Sequence, residues 1–112
     1  MTRLFGTDGI RGVANVDLKP TTAYALGRAV AHRLVGRGGA LVIGQDTRRS
    51  GDMFVSSIAA GATSLGVDAH LVGVVPTPAL AYLAGSGSFT AGIMVSASHN
   101  PADDNGLKVL DS

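Results

Sequence analysis

Between Val95 and Lys108 the chain reads VSASHNPADDNGLK, which brings two serine hydroxyls, an imidazole, two carboxylates and an ammonium into one short segment. The preceding run, Phe89–Val95, has the apolar, β-branched character of a buried strand, and Asn100–Pro101 followed by Ala102–Gly106 is dense in turn formers. Such a strand delivers Ser96, Ala97, Ser98 and His99 to the edge of a sheet, and open α/β sheets bind ligands beyond the carboxyl ends of their strands. Ser96 and Ser98 lie two apart, so on an extended chain both side chains would face the same way. A nucleophile–base pair of Ser98 and His99 is not supported, because neighbours on an extended chain point oppositely and no G-x-S-x-G elbow is present. Asn100–Pro101 would stiffen the loop's exit. Taken alone, a short serine motif reads as an ordinary polar turn.

Four further segments accompany it: Phe5-Gly-Thr-Asp-Gly-Ile-Arg-Gly12 with Val13–Asn15, Ile43-Gly-Gln-Asp-Thr-Arg48 with Ser50-Gly51, Gly73-Val-Val-Pro-Thr-Pro-Ala-Leu80, and Asn105-Gly-Leu-Lys108. Ser96–Pro101, SASHNP, resembles the phosphoserine loop of the α-D-phosphohexomutase superfamily, and all five segments fall in that superfamily's order. The FGTDGIRG segment is similar to the amino-terminal signature of its bacterial phosphoglucosamine mutase branch, where phosphoglucomutases and phosphomannomutases usually differ. The resemblance covers essentially the whole chain and corresponds to most of the first of four domains, so residues 1–112 are expected to be an incomplete phosphohexomutase domain I, inactive alone.

The resemblance implies that Ser98 carries the phosphoryl group and that Ser96 shapes its loop. It places Arg11 at the active site, where flanking glycines permit close backbone approach and the guanidinium suits bidentate phosphate contact. Lys108 would bring an ammonium towards the phosphoryl group, and His99 would hydrogen-bond the loop, the phosphate or the sugar; the plain alternatives are an exposed strand lysine and an exposed turn histidine. Thr7 and Asp8 would shape the Arg11 loop. The implied cofactor is Mg2+, for which the Ser98 phosphate would be the one ligand from this chain, the aspartates of a D-x-D-x-D-R loop lying in a later domain. Asp103 and Asp104 lack the further oxygen ligands that magnesium requires. The implied reaction interconverts glucosamine 6-phosphate and glucosamine 1-phosphate through glucosamine 1,6-bisphosphate, feeding UDP-N-acetylglucosamine and peptidoglycan precursors. Its partners are the hexosamine phosphate and the remaining domains of the polypeptide, and a homodimer of the full-length enzyme is compatible with it. The competing readings are a phosphoglucomutase or phosphomannomutase domain, and a non-catalytic domain that binds a phosphate or a partner protein.

The elements that must position these residues read as an alternation of helices and strands. Pro20 sits at an N1-like position before a stripe of Ala23, Leu26, Gly27, Val30 and Leu34, predicting a helix that stops near Gly36. Ala40–Gly44 reads as a buried strand opening into Gln45–Ser50, where Asp46 and Arg48 could brace neighbouring loops. Phe54, Ile58, Ala62 and Leu65 mark a second helix, with Ser50 as cap and Gly66 as stop. Val67–Val75 predicts a strand, Thr77–Leu83 a short helix, Phe89–Val95 a strand and Gly106–Leu110 a last strand, antiparallel because its connection is too short for a parallel crossover. The expected fold is a three-layer α/β/α sandwich with a mixed, mostly parallel sheet.

Composition bounds the rest. One domain is the expectation for 112 residues, and with 46% hydrophobic but only 4% aromatic residues its core must be aliphatic. A net charge of +1 without a basic tract argues against nucleic acid held by a positive field. Positive mean hydropathy, +0.30, comes from dispersed Ala, Val and Leu, and no run approaches the roughly 18–20 apolar residues of a membrane span. Absence of cysteine excludes disulfides and thiolate metal sites and fits a reducing compartment, the cytoplasm. Neither G-x-G-x-x-G nor a P-loop occurs, so ATP and NAD are not implied.

Overall fold

The structure is a computed structural model that describes residues 9–36, 38–98 and 100–111. Its elements are strand β1 (Ile10–Val13), helix α1 (Pro20–Val30), strand β2 (Ala40–Gln45), helix α2 (Gly51–Thr63), strand β3 (Asp68–Val74), helix α3 (Thr77–Ala84), strand β4 (Ala91–Val95) and strand β5 (Asp104–Asp111). Pro20 fixes the first turn of α1 after an extended Lys19. The helix then widens into a π-helical turn, Ala31–Val35, and stops at Gly36, whose φ of +84° is left-handed.

The five strands form one sheet in the order β1-β5-β4-β2-β3. β2 pairs in parallel with β3 and β4, whereas β5 is antiparallel to both β4 and β1. Helices α1 and α2 pack together on one face, where Leu26, Val30, Phe54 and Ile58 meet Leu41, Ile43, Ile93, Val95 and Leu107. Helix α3 covers the other face with Leu80 and Ala84 against Val42 and Met94. Alternation along β2, β4 and β5 therefore assigns their side chains to two separate cores, which is the three-layer α/β/α arrangement. Each fully buried Leu, Ile or Phe contributes roughly 1.5–3 kcal/mol.

Two features depart from the sequence reading. Gly9-Ile-Arg-Gly12 was expected as a loop presenting Arg11, but Ile10–Val13 is an edge strand whose register puts Ile10 opposite Leu107 and Arg11 opposite Gly106. It is short and glycine-flanked, so its own residues carry little strand signal; pairing with β5 imposes the conformation. Ser50 precedes α2 but makes no side-chain cap bond. Its Oγ instead accepts a hydrogen bond from Asn105 Nδ2 at 2.8 Å, tying the start of α2 to β5. The strand limits shift by a few residues, most at β5, which begins at Asp104.

Helices α1 and α2 approach closely because glycines face backbone at their crossing. A Cβ on Gly27 would strike the Ile58 carbonyl, and one on Gly61 would strike the Tyr24 carbonyl. Gly61→Ala is therefore expected to destabilise the fold by about 2 kcal/mol, the overpacking outweighing alanine's better helix propensity. Urea denaturation measures this, and an unchanged midpoint would contradict the close-packed crossing.

Candidate active site

From β2 the chain runs outward through α2 to β3, then α3 returns it across the opposite face to β4. The adjacent carboxyl ends of β2 and β4 therefore carry loops of different origin side by side, the arrangement that opens a crevice in α/β sheets. Asp46 N–H donates to the Val95 carbonyl at 3.1 Å and Ser96 N–H to the Gly106 carbonyl at 2.9 Å, so the sheet's ladder continues to the base of both loops.

Beyond that point residues 96–98 and 100–103 form no strand or helix, and many of their polar groups are met by side chains. Ser96 Oγ donates to Asp46 Oδ2 at 2.7 Å and accepts the Ser98 N–H at 3.1 Å. Ser98 has a φ of +52°, left-handed and unusual for a residue with a side chain. Such a conformation costs on the order of 1–3 kcal/mol and persists only where its surroundings impose it. Arg48 supplies much of that surrounding: NH2 donates to the carbonyls of Ser98 and Asn100 at 2.7 and 3.2 Å, and NH1 to those of Pro101 and Asp104 at 2.7 and 3.1 Å. The Arg48 Nε–H donates to Asp46 Oδ2 at 3.0 Å, an ion pair whose arginine side chain is only 10% exposed. The aspartate–arginine brace is thus present, and it acts on the serine loop.

The opposite side of the loop is held from β1 and β5. Arg11 NH1 donates to the Ala97 carbonyl at 3.2 Å and to Asn100 Oδ1 at 3.3 Å. Its stem crosses Gly106, where a Cβ would lie 3.0 Å from Arg11 Cγ and 2.6 Å from the Ser96 carbonyl. Asn100 Nδ2 donates to Asp104 Oδ2 at 3.2 Å. Asn105, fully buried, donates to Ser50 and accepts the Gly106 N–H at 2.8 Å. Sequence reasoning assigned no role to Asn100 or Asn105 as side chains; turn composition alone could have marked the first.

Of the sequence-predicted residues, the structure brings Ser98 and Arg11 to one loop. Lys108 shares the α3-side face with Arg11, as alternation from Leu107 requires, but its Cα partner is Met94 and it makes no hydrogen bond or ion pair among the described residues. His99, Thr7 and Asp8 lie outside the described residues. The extended-chain view of Ser96 and Ser98 is corrected: the left-handed turn at Ser98 breaks side-chain alternation. Ser96 is engaged at its hydroxyl, whereas Ser98 is exposed and its Oγ has no hydrogen-bond partner among the described residues. For a magnesium ion the described residues offer no group of three or more carboxylate or imidazole ligands. A phosphate on Ser98 would fit as a single ligand, with the others coming from elsewhere. A cavity of about 320 Å3 lies away from this loop, against β3, lined by residues that include Ile43, Gln45, Asp52 and Leu71.

Residues 2–112 match the family described as phosphoglucomutase/phosphomannomutase, alpha/beta/alpha domain I. The chain is 56% identical over 110 residues to the phosphoglucosamine mutase of Carboxydothermus hydrogenoformans, covering 96% of this chain and 25% of that protein. It is 56% identical over 107 residues to that of Pelotomaculum thermopropionicum, covering 94% and 24%. A crystal structure assigned as a phosphomannomutase of Thermus thermophilus superposes with a TM-score of 0.84 at 36% identity, covering 96% of this chain and 25% of that one. The chain thus spans about a quarter of the length of the relatives it matches.

Removing the Asp46 carboxylate leaves the mostly buried Arg48 charge without its counter-ion. Asp46→Ala is expected to lower stability by about 2 kcal/mol, less than for a fully buried pair because Asp46 is 28% exposed. Chemical denaturation reads this, and a loss under ~0.5 kcal/mol would show the pair to be solvated.

Proposed function

The chain belongs to the phosphoglucomutase/phosphomannomutase family as its α/β/α domain I, and from that premise we propose that it is the serine-bearing part of a phosphoglucosamine mutase, with Ser98 as the phosphoryl carrier. The observation that carries this reading is the contrast within the loop: Ser96 is tied at its hydroxyl, while the exposed Ser98 Oγ stands on a segment whose carbonyls are anchored by Arg48 and Arg11. A group held this way can be presented repeatedly in one geometry, which is what in-line phosphoryl transfer demands.

In the proposed reaction a hydroxyl oxygen of glucosamine 1- or 6-phosphate bonds to the phosphorus on Ser98 as the phosphorus–Ser98 Oγ bond breaks. The hydroxyl proton leaves to a base and the departing Ser98 Oγ takes up a proton to become a hydroxyl again; the bisphosphate reorients, and its other phosphoryl group returns to Ser98 Oγ by the reverse step. Arg11 and Lys108 supply positive charge on the same sheet face, and His99 contributes a hydrogen bond to the loop, phosphate or sugar. Mg2+ would take one oxygen of the Ser98 phosphate and neutralise its charge. The remaining three quarters of the polypeptide would bring the other magnesium ligands and the sugar-binding surfaces.

Glucosamine as the sugar is favoured by the 56% identity to phosphoglucosamine mutases, against 36% to the phosphomannomutase structure. The product would serve UDP-N-acetylglucosamine and peptidoglycan synthesis in a bacterial cytoplasm. A cytoplasmic setting belongs to the same proposal; no helix among the described residues is long and apolar enough to cross a membrane.

Phosphopeptide mapping of the full-length protein after incubation with glucosamine 1,6-bisphosphate is expected to place the phosphate on Ser98, and to find it there still in Ser96→Ala. Ser98→Ala should lose at least ~10³-fold of mutase activity, since no alternative nucleophile shares its position. Phosphate on Ser96, or mannose 1-phosphate used better than glucosamine 1-phosphate, would overturn the respective part of the reading.

A further inference from the structure

Arg48 invites the view that it binds the phosphate, because guanidinium is the usual partner of phosphoryl oxygens. Its hydrogen bonds say otherwise. Guanidinium has five N–H donors, one on Nε and two on each terminal nitrogen. All five are committed within the protein: Nε–H to Asp46 Oδ2, and the four terminal N–H groups to the carbonyls of Ser98, Asn100, Pro101 and Asp104. None remains for a substrate unless the loop is released.

We infer that Arg48 is a positioning residue for phosphoryl transfer, one that acts on the reaction only through the backbone that presents Ser98; the inference rests on the reading of Ser98 as the phosphoryl carrier. Three observations converge on it. The Ser98 carbonyl, at the residue with the left-handed φ of +52°, makes one of the two shortest Arg48 contacts, 2.7 Å. The carbonyls it gathers bracket the turn from Ser98 to Asp104, so one rigid planar group fixes both the start and the end of the segment. Asp46, which orients the guanidinium, also accepts the Ser96 hydroxyl proton and thereby turns the Ser96 oxygen to the Ser98 N–H. Ser98 is thus held at its N–H through Asp46 and Ser96, and at its carbonyl through Arg48, while its own hydroxyl has no partner among the described residues. The whole device hangs on β2, a central strand paired on both sides.

Lysine cannot replace this arrangement. It offers three donors at one point, which cannot reach four carbonyls spread around a planar fork. Misplacing a reacting atom by about 1 Å costs on the order of 10²-fold in rate, while substrate affinity depends on other groups.

The test uses the full-length enzyme, in wild-type, Arg48→Lys and Asp46→Asn forms. Each is loaded with phosphate, its phosphorylated fraction is counted by intact mass, and single-turnover transfer to glucosamine 1-phosphate is followed by rapid quench. The expected result for Arg48→Lys is a transfer rate per phosphorylated molecule about 100-fold below wild type, with KM within about threefold. Asp46→Asn is expected to fall about tenfold and decides the matter alone if the lysine variant does not fold. A purely structural role would lower the folded or phosphorylated fraction but leave the rate per phosphorylated molecule unchanged; rates within about threefold of wild type in the variants that fold overturn the inference. A wild-type protein that takes no phosphate on Ser98 overturns the carrier reading and this inference together, and is distinguished by failing before any variant is compared.

Discussion

A loop that leaves a sheet edge loses the ladder that satisfied its main-chain carbonyls, and the segment from Ser98 to Asp104 solves this with one cation. The Arg48 guanidinium meets four of those carbonyls and is itself fixed by Asp46. Each charge-assisted bond is stronger than a neutral one, and together they offset the backbone strain of a left-handed Ser98. Everything distinctive about the loop follows from that anchoring. The serine is exposed yet held by its backbone, its neighbour Ser96 is consumed as a strut, and Arg11 closes the far side across a position where only glycine leaves room.

The fold's contribution is to bring the anchor and the loop together. Asp46 and Arg48 follow β2, Ser96 and Ser98 follow β4, and the two strands are parallel neighbours although about 50 residues separate them in sequence. That proximity needs the α3 crossover, the two-sided core that keeps β2 and β4 central, and the close glycine crossing of α1 with α2 that lets both helices lie on one face. β5 and β1 then extend the sheet and bring Arg11 and Lys108 to the α3-side face.

Much of this was legible in the residues. Pro20, Gly36 and Gly66 marked helix limits because each imposes a local backbone constraint, and the stripes of α1 and α2 declared their buried faces. The serine loop and the Asp46–Arg48 pair also stood out as chemistry at a strand end. What local sequence could not show was non-local. β1 exists because β5 pairs with it, and Ser50 turns from helix cap to acceptor because Asn105, 55 residues away, arrives with a buried amide. Likewise, the partners of Arg48 are mostly carbonyls, which carry no residue signature at all. The pairing with Asp46 was visible at a spacing of two, whereas the four carbonyl contacts lie 50 to 56 residues away.

A guanidinium beyond the end of β2 holds Ser98, beyond the end of the neighbouring β4, in a left-handed turn. A crystal structure of the full-length protein tests this geometry most directly. Ser98 is expected at positive φ, with Arg48 within hydrogen-bond distance of the Ser98, Asn100, Pro101 and Asp104 carbonyls. Arg48 turned to solvent or to a bound phosphate, with Ser98 at negative φ, would contradict it.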